Sequence, residues 1–174
     1  MSRYLAVALP DYGHLLPMLA VANELRQRGH TLAVVTVADR VDVVRSWGCD
    51  PLVLAPDVLP EGWLQTVDAG RAVLSGHALN RFSLEVFTEA VLGAVLADLP
   101  RIVEEFAPDT LLLDPYCYGA ASVAAAAGVD AVGVEGALAP ELVHGMRDPF
   151  EPWACQHRPP SWFRRIATAV FGHG

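Results

Sequence analysis

Two residues of the chain, His14 and Asp114, have side chains and positions suited to acid–base chemistry. Each follows a run of apolar residues, 4–9 and 110–113, that predicts a buried strand. An imidazole exchanges a proton near neutral pH, and a carboxylate behind it fixes its tautomer and stabilises the imidazolium that forms. If the fold brings the two side chains together, the pair predicts a general base that deprotonates a hydroxyl group.

Both residues also have a plain structural interpretation. His14 stands where an apolar-periodic helix over residues 15–28 begins, so a capping role would explain it. Asp114 precedes an Ala-rich helix that ends at Gly128, and Asp is a common N-cap residue. The positive end of a helix dipole disfavours an imidazolium, so we expect the helix to hold His14 neutral, as a base must be at rest. Considered together, the two residues favour the dyad over two unrelated caps.

No other catalytic motif is found in the sequence. It has neither a GxSxG nucleophile motif nor a Walker A loop, and the turn over residues 10–14 lacks the GxGxxG fingerprint of dinucleotide-binding proteins. A nicotinamide-dependent dehydrogenase is therefore a poor alternative. Cys117 is predicted to be a small buried hydrophobe. His144 and His157 lack metal-ligand spacing, so no metal site is predicted.

The composition is typical of one large domain with an extensive core. Of the 174 residues, 53% are apolar, which suits a parallel sheet covered by helices on both faces. The net charge of −8 argues against a nucleic-acid surface. The three cysteines form no paired motif, which favours a reducing cytoplasm. We find no signal-peptide pattern and no apolar run long enough for a transmembrane segment, so a cytoplasmic location is expected.

Apolar runs and helical periodicity alternate along the chain. One helix is predicted over residues 15–28, and a second, short helix is predicted that includes Trp47. Strands are predicted over residues 4–9, 31–37, 51–55, 110–113 and 131–134. The pattern predicts an α/β fold, a Rossmann-like, doubly wound parallel sheet with strand order 3-2-1-4-5. In that order strands 1 and 4 are neighbours, so His14 and Asp114 should meet at the carboxyl edge, where such sheets bind ligands.

The stretch between the third and fourth strands is less regular. Residues 56–76 contain two prolines and three glycines, and we predict a long loop over the edge of the sheet. Residues 79–106 have helical periodicity, with interruptions predicted near Gly93 and at Pro100. A loop of this kind shapes binding sites, so the stretch is expected to contribute to a ligand pocket.

Several of these runs resemble a known enzyme family. Residues 10–18, PDYGHLLPM, and residues 20–30, AVANELRQRGH, are similar to the opening of UDP-glycosyltransferase-type enzymes of the GT-B fold. The family includes antibiotic, macrolide, plant flavonoid and zeaxanthin glycosyltransferases. Residues 108–114, PDTLLLD, and residues 134–140 resemble later parts of the same pattern. The likeness covers about residues 1–145.

The resemblance implies an inverting transfer of a sugar from a nucleotide-sugar donor, a UDP- or dTDP-sugar, to a hydroxyl of an acceptor. It assigns the general base to His14 and the supporting carboxylate to Asp114. It implies no cofactor besides the donor substrate, and a role in natural-product or antibiotic biosynthesis.

The same resemblance implies how the chain is divided. Residues 1–145 would form a Rossmann-like acceptor-binding domain, and residues 146–174, a Pro-rich segment and a helix, would lead towards a C-terminal donor-binding domain. We therefore expect this chain to be a fragment, a truncated form or one subunit of a two-chain enzyme. Alone, it is expected to be incomplete or inactive.

The acceptor is expected to be a hydrophobic, hydroxylated small molecule, because the candidate pocket wall is mostly aromatic and has few charges. For each wall residue, core packing is the alternative. The candidates are Tyr12, Gly13, Trp63, Phe82, Phe87, Tyr116, Tyr118, Glu135 and His144.

A second class of function stays open: a non-catalytic module that binds a small molecule or a partner at the rim near His14. The last segment bears on this alternative. A helix is predicted over residues 161–171, with Trp162, Ile166 and Val170 on one face. That face is expected to be exposed, to pack against a second copy in a homodimer, or to dock on its own domain.

Overall fold

The computed structural model describes residues 1–134. The predictions for Glu135, for His144 and for the helix over residues 161–171 fall outside this range. The strands are β1 (Arg3–Val7), β2 (Thr31–Thr36), β3 (Asp50–Val53), β4 (Thr110–Leu113) and β5 (Asp130–Gly133). The helices are α1 (Tyr12–Gln27), α2 (Val41–Ser46), α3 (Trp63–Ala72), α4 (Gly76–Phe82), α5 (Glu89–Phe106) and α6 (Ala120–Ala127). A 3₁₀ turn (Ala38–Arg40) precedes α2, and a π-helical segment (Ser83–Thr88) joins α4 to α5.

All five strands are parallel and lie in the order β3-β2-β1-β4-β5. The predicted fold class and strand order are therefore confirmed. Alternate residues of a strand enter two separate cores. In β1, Leu5 and Val7 pack with residues of α3, α5 and α6, whereas Ala6 packs with residues of α1 and α2. Helices thus cover both faces of the sheet, which accounts for the high apolar content.

Helix α1 begins at Tyr12, earlier than the predicted start at residue 15. His14 is therefore inside its first turn rather than before it, and Pro17 lies within the helix. The helix ends at Gln27, and Gly29 follows with a φ of 84°, a left-handed conformation that glycine adopts without strain.

The stretch predicted as a loop, residues 56–76, instead contains α3 and the start of α4. Helix α3 buries Leu64 and Val67 in the core. Its first N–H groups are satisfied by another part of the chain, because the Asp39 carboxylate accepts hydrogen bonds from the N–H groups of Gly62 (2.7 Å) and Leu64 (3.1 Å).

Helix α5 is more regular than predicted. It continues through Gly93 and Pro100, where interruptions were expected. Burial of its apolar face against the sheet offsets the hydrogen bond that Pro100 cannot donate. The irregular turn lies earlier, in the π-helical segment, where the Thr88 hydroxyl donates to the Ser83 carbonyl at 3.1 Å.

Within residues 1–134, no helix combines the length and the apolar character needed to cross a bilayer. The same part of the chain contains no group of three or more His, Cys, Asp or Glu side chains placed to hold a metal ion.

Candidate active site

The register of the sheet places His14 and Asp114 at one level of its carboxyl edge. Val7, the last residue of β1, pairs with Leu113, the last residue of β4. The next residue, Asp114, donates its backbone N–H to the Val7 carbonyl at 2.9 Å. The chain leaving β1 enters α1 after a short turn, so the first turn of that helix lies beside the end of β4.

The side chains of His14 and Asp114 are in contact. Nδ1 of His14 lies 3.0 Å from Oδ2 of Asp114, so the contact predicted from the strand order is present. The Asp114 side chain is 4% exposed and that of His14 is 28% exposed. A buried carboxylate thus supports an imidazole that a small molecule can still reach.

Backbone groups fix the Asp114 carboxylate from two further directions. Oδ2 accepts a hydrogen bond from the Leu9 N–H at 3.1 Å, and Oδ1 accepts one from the Tyr116 N–H at 3.0 Å. A buried carboxylate needs such donors, because an unpaired charge away from water is costly. The three contacts together orient the oxygen that faces His14.

The capping interpretations of the two residues do not hold. Asp11 is the N-cap of α1, and the backbone N–H of His14 donates to the Asp11 carbonyl at 3.0 Å, so His14 is a helical residue. Helix α6 begins at Ala120, with Gly119 at its N-cap, so Asp114 is too far upstream to cap it.

The contact also determines the tautomer of His14. An ionised carboxylate has only acceptor oxygens, so Nδ1 must carry the hydrogen in the bond to Asp114. Nε2 is then the nitrogen with the free lone pair. The arrangement can therefore accept a proton at Nε2 and stabilise the resulting positive charge from the other side of the ring.

The pKa of His14 is raised above the ordinary value of 6.5, which corrects the expectation that the helix would hold this residue neutral. The hydrogen bond to Asp114 is the main cause. Partial burial acts in the opposite direction, and the negative charges of Asp114 and Asp11 raise the pKa further. His14 is consequently a stronger base than an isolated histidine, but a larger fraction of it is protonated at a given pH.

The predicted pocket tyrosines lie in three different environments. The Tyr116 ring packs edge-on against the His14 ring, with centroids 5.2 Å apart, and the side chain is partly exposed. Tyr12 is also exposed, and the Arg40 guanidinium lies 4.3 Å from its ring centroid. Tyr118 is half-buried, and burial raises the pKa of its hydroxyl. Of the three rings, that of Tyr116 contacts the base.

The predicted pocket residues of α3, α4 and the π-helical segment differ in how deeply they are buried. Phe87 is only 2% exposed and stacks on Trp63, with ring centroids 5.7 Å apart and an interplanar angle of 13°. Phe82 lies against α3 so closely that a Cβ on Gly70 would come within 2.4 Å of its ring. The pocket-wall prediction for Phe87 is therefore corrected to core packing, while Trp63 and Phe82 are partly buried beside it.

Gly13 has open space around it, with no atom within 4 Å of where a Cβ would lie. A side chain there would not clash with the described residues. Close approach of a ligand to the backbone is therefore geometrically open at this position, in the first turn of α1 next to His14.

Two arginines that the sequence pattern does not predict lie at the site. Both terminal nitrogens of Arg71 donate hydrogen bonds to the Asp11 carboxylate, Nη1 to Oδ1 at 2.9 Å and Nη2 to Oδ2 at 3.3 Å. Nε of Arg40 donates to the Pro10 carbonyl at 2.9 Å. Neither contact has a local sequence signal, because the partners lie far apart along the chain and Arg71 falls in the stretch predicted as a loop.

An apolar groove of about 720 Å³ lies elsewhere, between α5 and α6. Its lining residues include Leu96, Pro100, Val103, Ala107, Val123 and Val129. None of the predicted site residues belongs to this groove, so it is separate from the dyad.

The sequence matches no family model and no curated protein. Solved structures do match it. The calicheamicin glycosyltransferase CalG4 aligns with a TM-score of 0.64 and 19% identity, over 99% of this chain and 42% of that chain. The glycotransferase of kitacinnamycin aligns with a TM-score of 0.63 and 21% identity, over 97% of this chain and 38% of that chain. The fold is that of the GT-B glycosyltransferases.

A third match is the glycosyltransferase VinC, determined in complex with dTDP, with a TM-score of 0.59 and 19% identity over 99% of this chain and 44% of that chain. The present chain spans about two fifths of the length of these three GT-B proteins. The sequence motifs and the structural matches indicate the same fold. The resemblance to GT-B glycosyltransferases predicted from the motifs is therefore confirmed at the level of the fold.

Proposed function

We propose that this chain is the acceptor-binding half of a glycosyltransferase, with His14 as its general base. The enzyme would transfer a sugar from a nucleotide-sugar donor to a hydroxyl of a hydrophobic small molecule, with inversion at the anomeric carbon. The observation that carries the proposal is the 3.0 Å contact between Nδ1 of His14 and the buried Asp114 carboxylate, at the carboxyl edge of a GT-B sheet.

The chemistry requires one proton acceptor and one leaving group. The acceptor hydroxyl gives its proton to Nε2 of His14 while its oxygen forms a bond to the anomeric carbon of the donor sugar. The bond from that carbon to the nucleoside diphosphate breaks, and the diphosphate leaves with the electron pair. Attack opposite the leaving group inverts the anomeric configuration. Asp114 stabilises the imidazolium as it forms.

The raised pKa of His14 affects this step in two ways. It increases the driving force for taking a proton, and it requires a pH high enough for the base to start neutral. The rate should therefore rise with pH through the pKa of His14, which lies above 6.5.

The proposed donor is a dTDP- or UDP-sugar. VinC was determined with dTDP and the glycosyltransferase SsfS6 with thymidine diphosphate, so nucleoside diphosphate binding accompanies this fold in two of its relatives by structure. We propose that residues 1–145 bind the acceptor, that residues 146–174 lead towards the donor-binding half, and that this half lies in a further domain or a partner subunit.

The proposed acceptor is hydrophobic and hydroxylated. The partly exposed rings of Tyr12 and Tyr116, near the base, offer apolar surface with a polar tip for such a molecule. We further propose a role in natural-product biosynthesis, a cytoplasmic location, and contacts of Tyr118, Glu135 and His144 with the acceptor.

A transfer assay with the whole protein, dTDP- and UDP-sugars and a panel of hydrophobic hydroxylated acceptors tests the proposal. His14→Ala should lower the transfer rate by about 10²–10⁴-fold, the usual range for loss of a general base. His30→Ala is the matched control, because His30 follows the far end of α1 and contacts Tyr4 and the Ser2 N–H.

Turnover in His14→Ala equal to that of the unmodified protein would contradict the role of the base. If tryptophan fluorescence reports acceptor binding but no donor supports transfer, the non-catalytic binding module becomes the better account.

A further inference from the structure

The ion pair between Arg71 and Asp11 has no part in the proton transfer proposed above, yet it lies at the start of the helix that carries His14. The guanidinium meets both carboxylate oxygens, at 2.9 and 3.3 Å, and a second carboxylate, that of Asp68, lies 3.6 Å away. Side chains of Arg71 and Asp11 are only 22% and 32% exposed, so water screens this pair less than it screens a surface pair.

Asp11 connects this ion pair to the base through its own backbone. It is the N-cap of α1, and its carbonyl accepts hydrogen bonds from the N–H groups of His14 (3.0 Å) and Leu15 (2.9 Å). A residue whose side chain is held by Arg71 therefore holds the backbone of His14. Any shift of Asp11 moves the first turn of α1 and with it the imidazole.

Arg71 is also tied to the aromatic residues beside the site. Its guanidinium lies 4.3 Å from the centroid of the buried Phe87 ring, which stacks on Trp63. Arg71 is in the last turn of α3, and Asp39 binds the first N–H groups of the same helix. Helix α3 is thus fixed at both ends, and Arg71 is the point where α3, the π-helical segment and the turn before His14 meet.

We propose that Arg71 is a positioning residue, which holds the turn that carries His14 and neutralises Asp11 beside the base. The inference rests on the proposed role of His14 for its meaning in catalysis. The contacts themselves set an expectation for the isolated chain, because the charge and the geometry around His14 exist without any substrate.

The charged and titratable groups around His14 determine the sign of the effect. Asp114 and the Tyr116 ring face it from the loop after β4, and Asp11 faces it from its own helix. Tyr118, in the same loop, interacts electrostatically with Tyr116 and Asp114. Arg71 reaches it through Asp11, and Arg40 lies over Tyr12 in the same first turn. Removing the Arg71 charge leaves Asp11 uncompensated, which favours the imidazolium.

The test is an NMR titration of His14 in the 174-residue chain, with its signals assigned by their loss in His14→Gln. We expect the pKa of His14 to rise in Arg71→Gln and to fall in Asp11→Asn, where the positive charge is left alone. In the double variant one positive and one negative charge are removed together, so the two changes in the pKa of His14 should largely cancel. Arg71→Lys retains the charge and should leave the pKa near that of the unmodified chain.

Hydrogen exchange separates the geometric role of Arg71 from its charge. The lysine cannot reproduce the two-pronged contact with Asp11. In both Arg71→Lys and Arg71→Gln, the N–H groups of His14 and Leu15 should therefore exchange faster, by about tenfold or more for the loss of a charged hydrogen bond.

Arg28→Gln is the matched control. Arg28 also binds one carboxylate, that of Glu24 at 2.8 Å, but it lies at the opposite end of α1 and is well exposed. It should change neither the His14 titration nor the exchange of the first turn. An Arg71→Gln chain that loses thermal stability while the His14 pKa and the exchange rates stay the same would overturn the proposal. If Arg71→Gln does not fold, the His14 titration and the hydrogen exchange of the first turn are measured in Asp11→Asn and Arg71→Lys, and these two variants decide the proposal.

These measurements need neither donor nor acceptor. If the protein proves inactive in sugar transfer but gives the predicted titrations, the Arg71 inference stands and the proposed function is rejected. The opposite result, transfer that depends on His14 together with a His14 pKa indifferent to Arg71 and Asp11, would reject the positioning role alone.

Discussion

The turn that carries His14 is held on two sides by contacts of different kinds. On the β4 side, the buried Asp114 carboxylate binds the imidazole and two backbone N–H groups. The backbone N–H of Asp114 donates to the Val7 carbonyl. On the α3 side, the partly exposed side chains of Arg71 and Arg40 reach across to Asp11 and Pro10, and Asp39 fixes the start of α3.

The difference separates chemistry from positioning. A buried, charged group has already given up its water, so removing one partner leaves that desolvation cost uncompensated, and contacts on the β4 side are costly to break. Ion pairs and hydrogen bonds of partly exposed side chains contribute less each, because water replaces them in part. We therefore expect changes on the β4 side to abolish function and changes on the α3 side to adjust it.

The largest effect is expected from Asp114→Asn on the β4 side. The amide places an NH₂ group where one carboxylate oxygen accepts a hydrogen bond, and it removes the charge that stabilises the imidazolium. The transfer rate should fall by about 10²–10⁴-fold. Loss of a satisfied buried acceptor should lower the free energy of unfolding by about 1–3 kcal/mol. A variant that keeps its rate would show that Asp114 is not coupled to the base.

On the α3 side, Gly70→Ala probes how tightly Phe82 packs on α3. A Cβ would lie 2.4 Å from the Phe82 ring, so the ring must move, and overpacking of this kind costs about 1–3 kcal/mol. Gly93→Ala is the control, since it is also a helical glycine but has no atom within 4 Å of the added Cβ. Urea denaturation should give Gly70→Ala a lower free energy of unfolding than Gly93→Ala. Equal stabilisation of the fold by the two substitutions would mean that Phe82 does not lie on α3.

A smaller loss is expected from Asp39→Ala, which removes the acceptors for the Gly62 and Leu64 N–H groups. Loss of a cap costs about 1 kcal/mol, and these N–H groups should exchange faster with solvent. Asp57→Ala is the control, because Asp57 is exposed and has no side-chain bond to residues 1–134. Equal exchange in the two variants would exclude Asp39 as the cap of α3.

The smallest effect concerns the pH dependence of stability. The pKa of His14 is raised in the folded chain, so the extra stabilisation that Asp114 gives to the charged imidazolium is fully present below about pH 6.5 and is lost as the pH rises through the folded pKa. The hydrogen bond from Nδ1–H of the neutral ring remains. The stability difference between the unmodified chain and His14→Gln should thus be larger at about pH 5.5 than at about pH 9. The same difference at both values would contradict a raised pKa.

The same two sides differ in how far sequence predicts them. The β4 side follows from regular structure: the strand order makes β1 and β4 neighbours, and His14 and Asp114 leave the two strands at one level. The sequence also predicts the sheet and most helices, because each carries its own apolar periodicity.

The α3 side depends on contacts that no local pattern contains. Helix α3 is short and lies between prolines and glycines, and its first N–H groups are satisfied by Asp39, far along the chain. Arg71 and Asp11 have no spacing that links them. Aromatic residues were predicted as pocket wall by type alone, whereas Phe87 is core, because burial depends on the position of α3. The pKa of His14 likewise depends on the strength of its contact with Asp114 rather than on the helix terminus.

The central claim is that Asp114 holds His14 as a base with its hydrogen on Nδ1 and a free lone pair on Nε2. The most direct measurement is ¹⁵N NMR of the His14 ring across pH in the unmodified chain and in Asp114→Asn. We predict the Nδ1–H tautomer at high pH and a pKa above 6.5, with the pKa falling in Asp114→Asn. A ring that carries its hydrogen on Nε2, or one that titrates identically in both chains, would contradict the account.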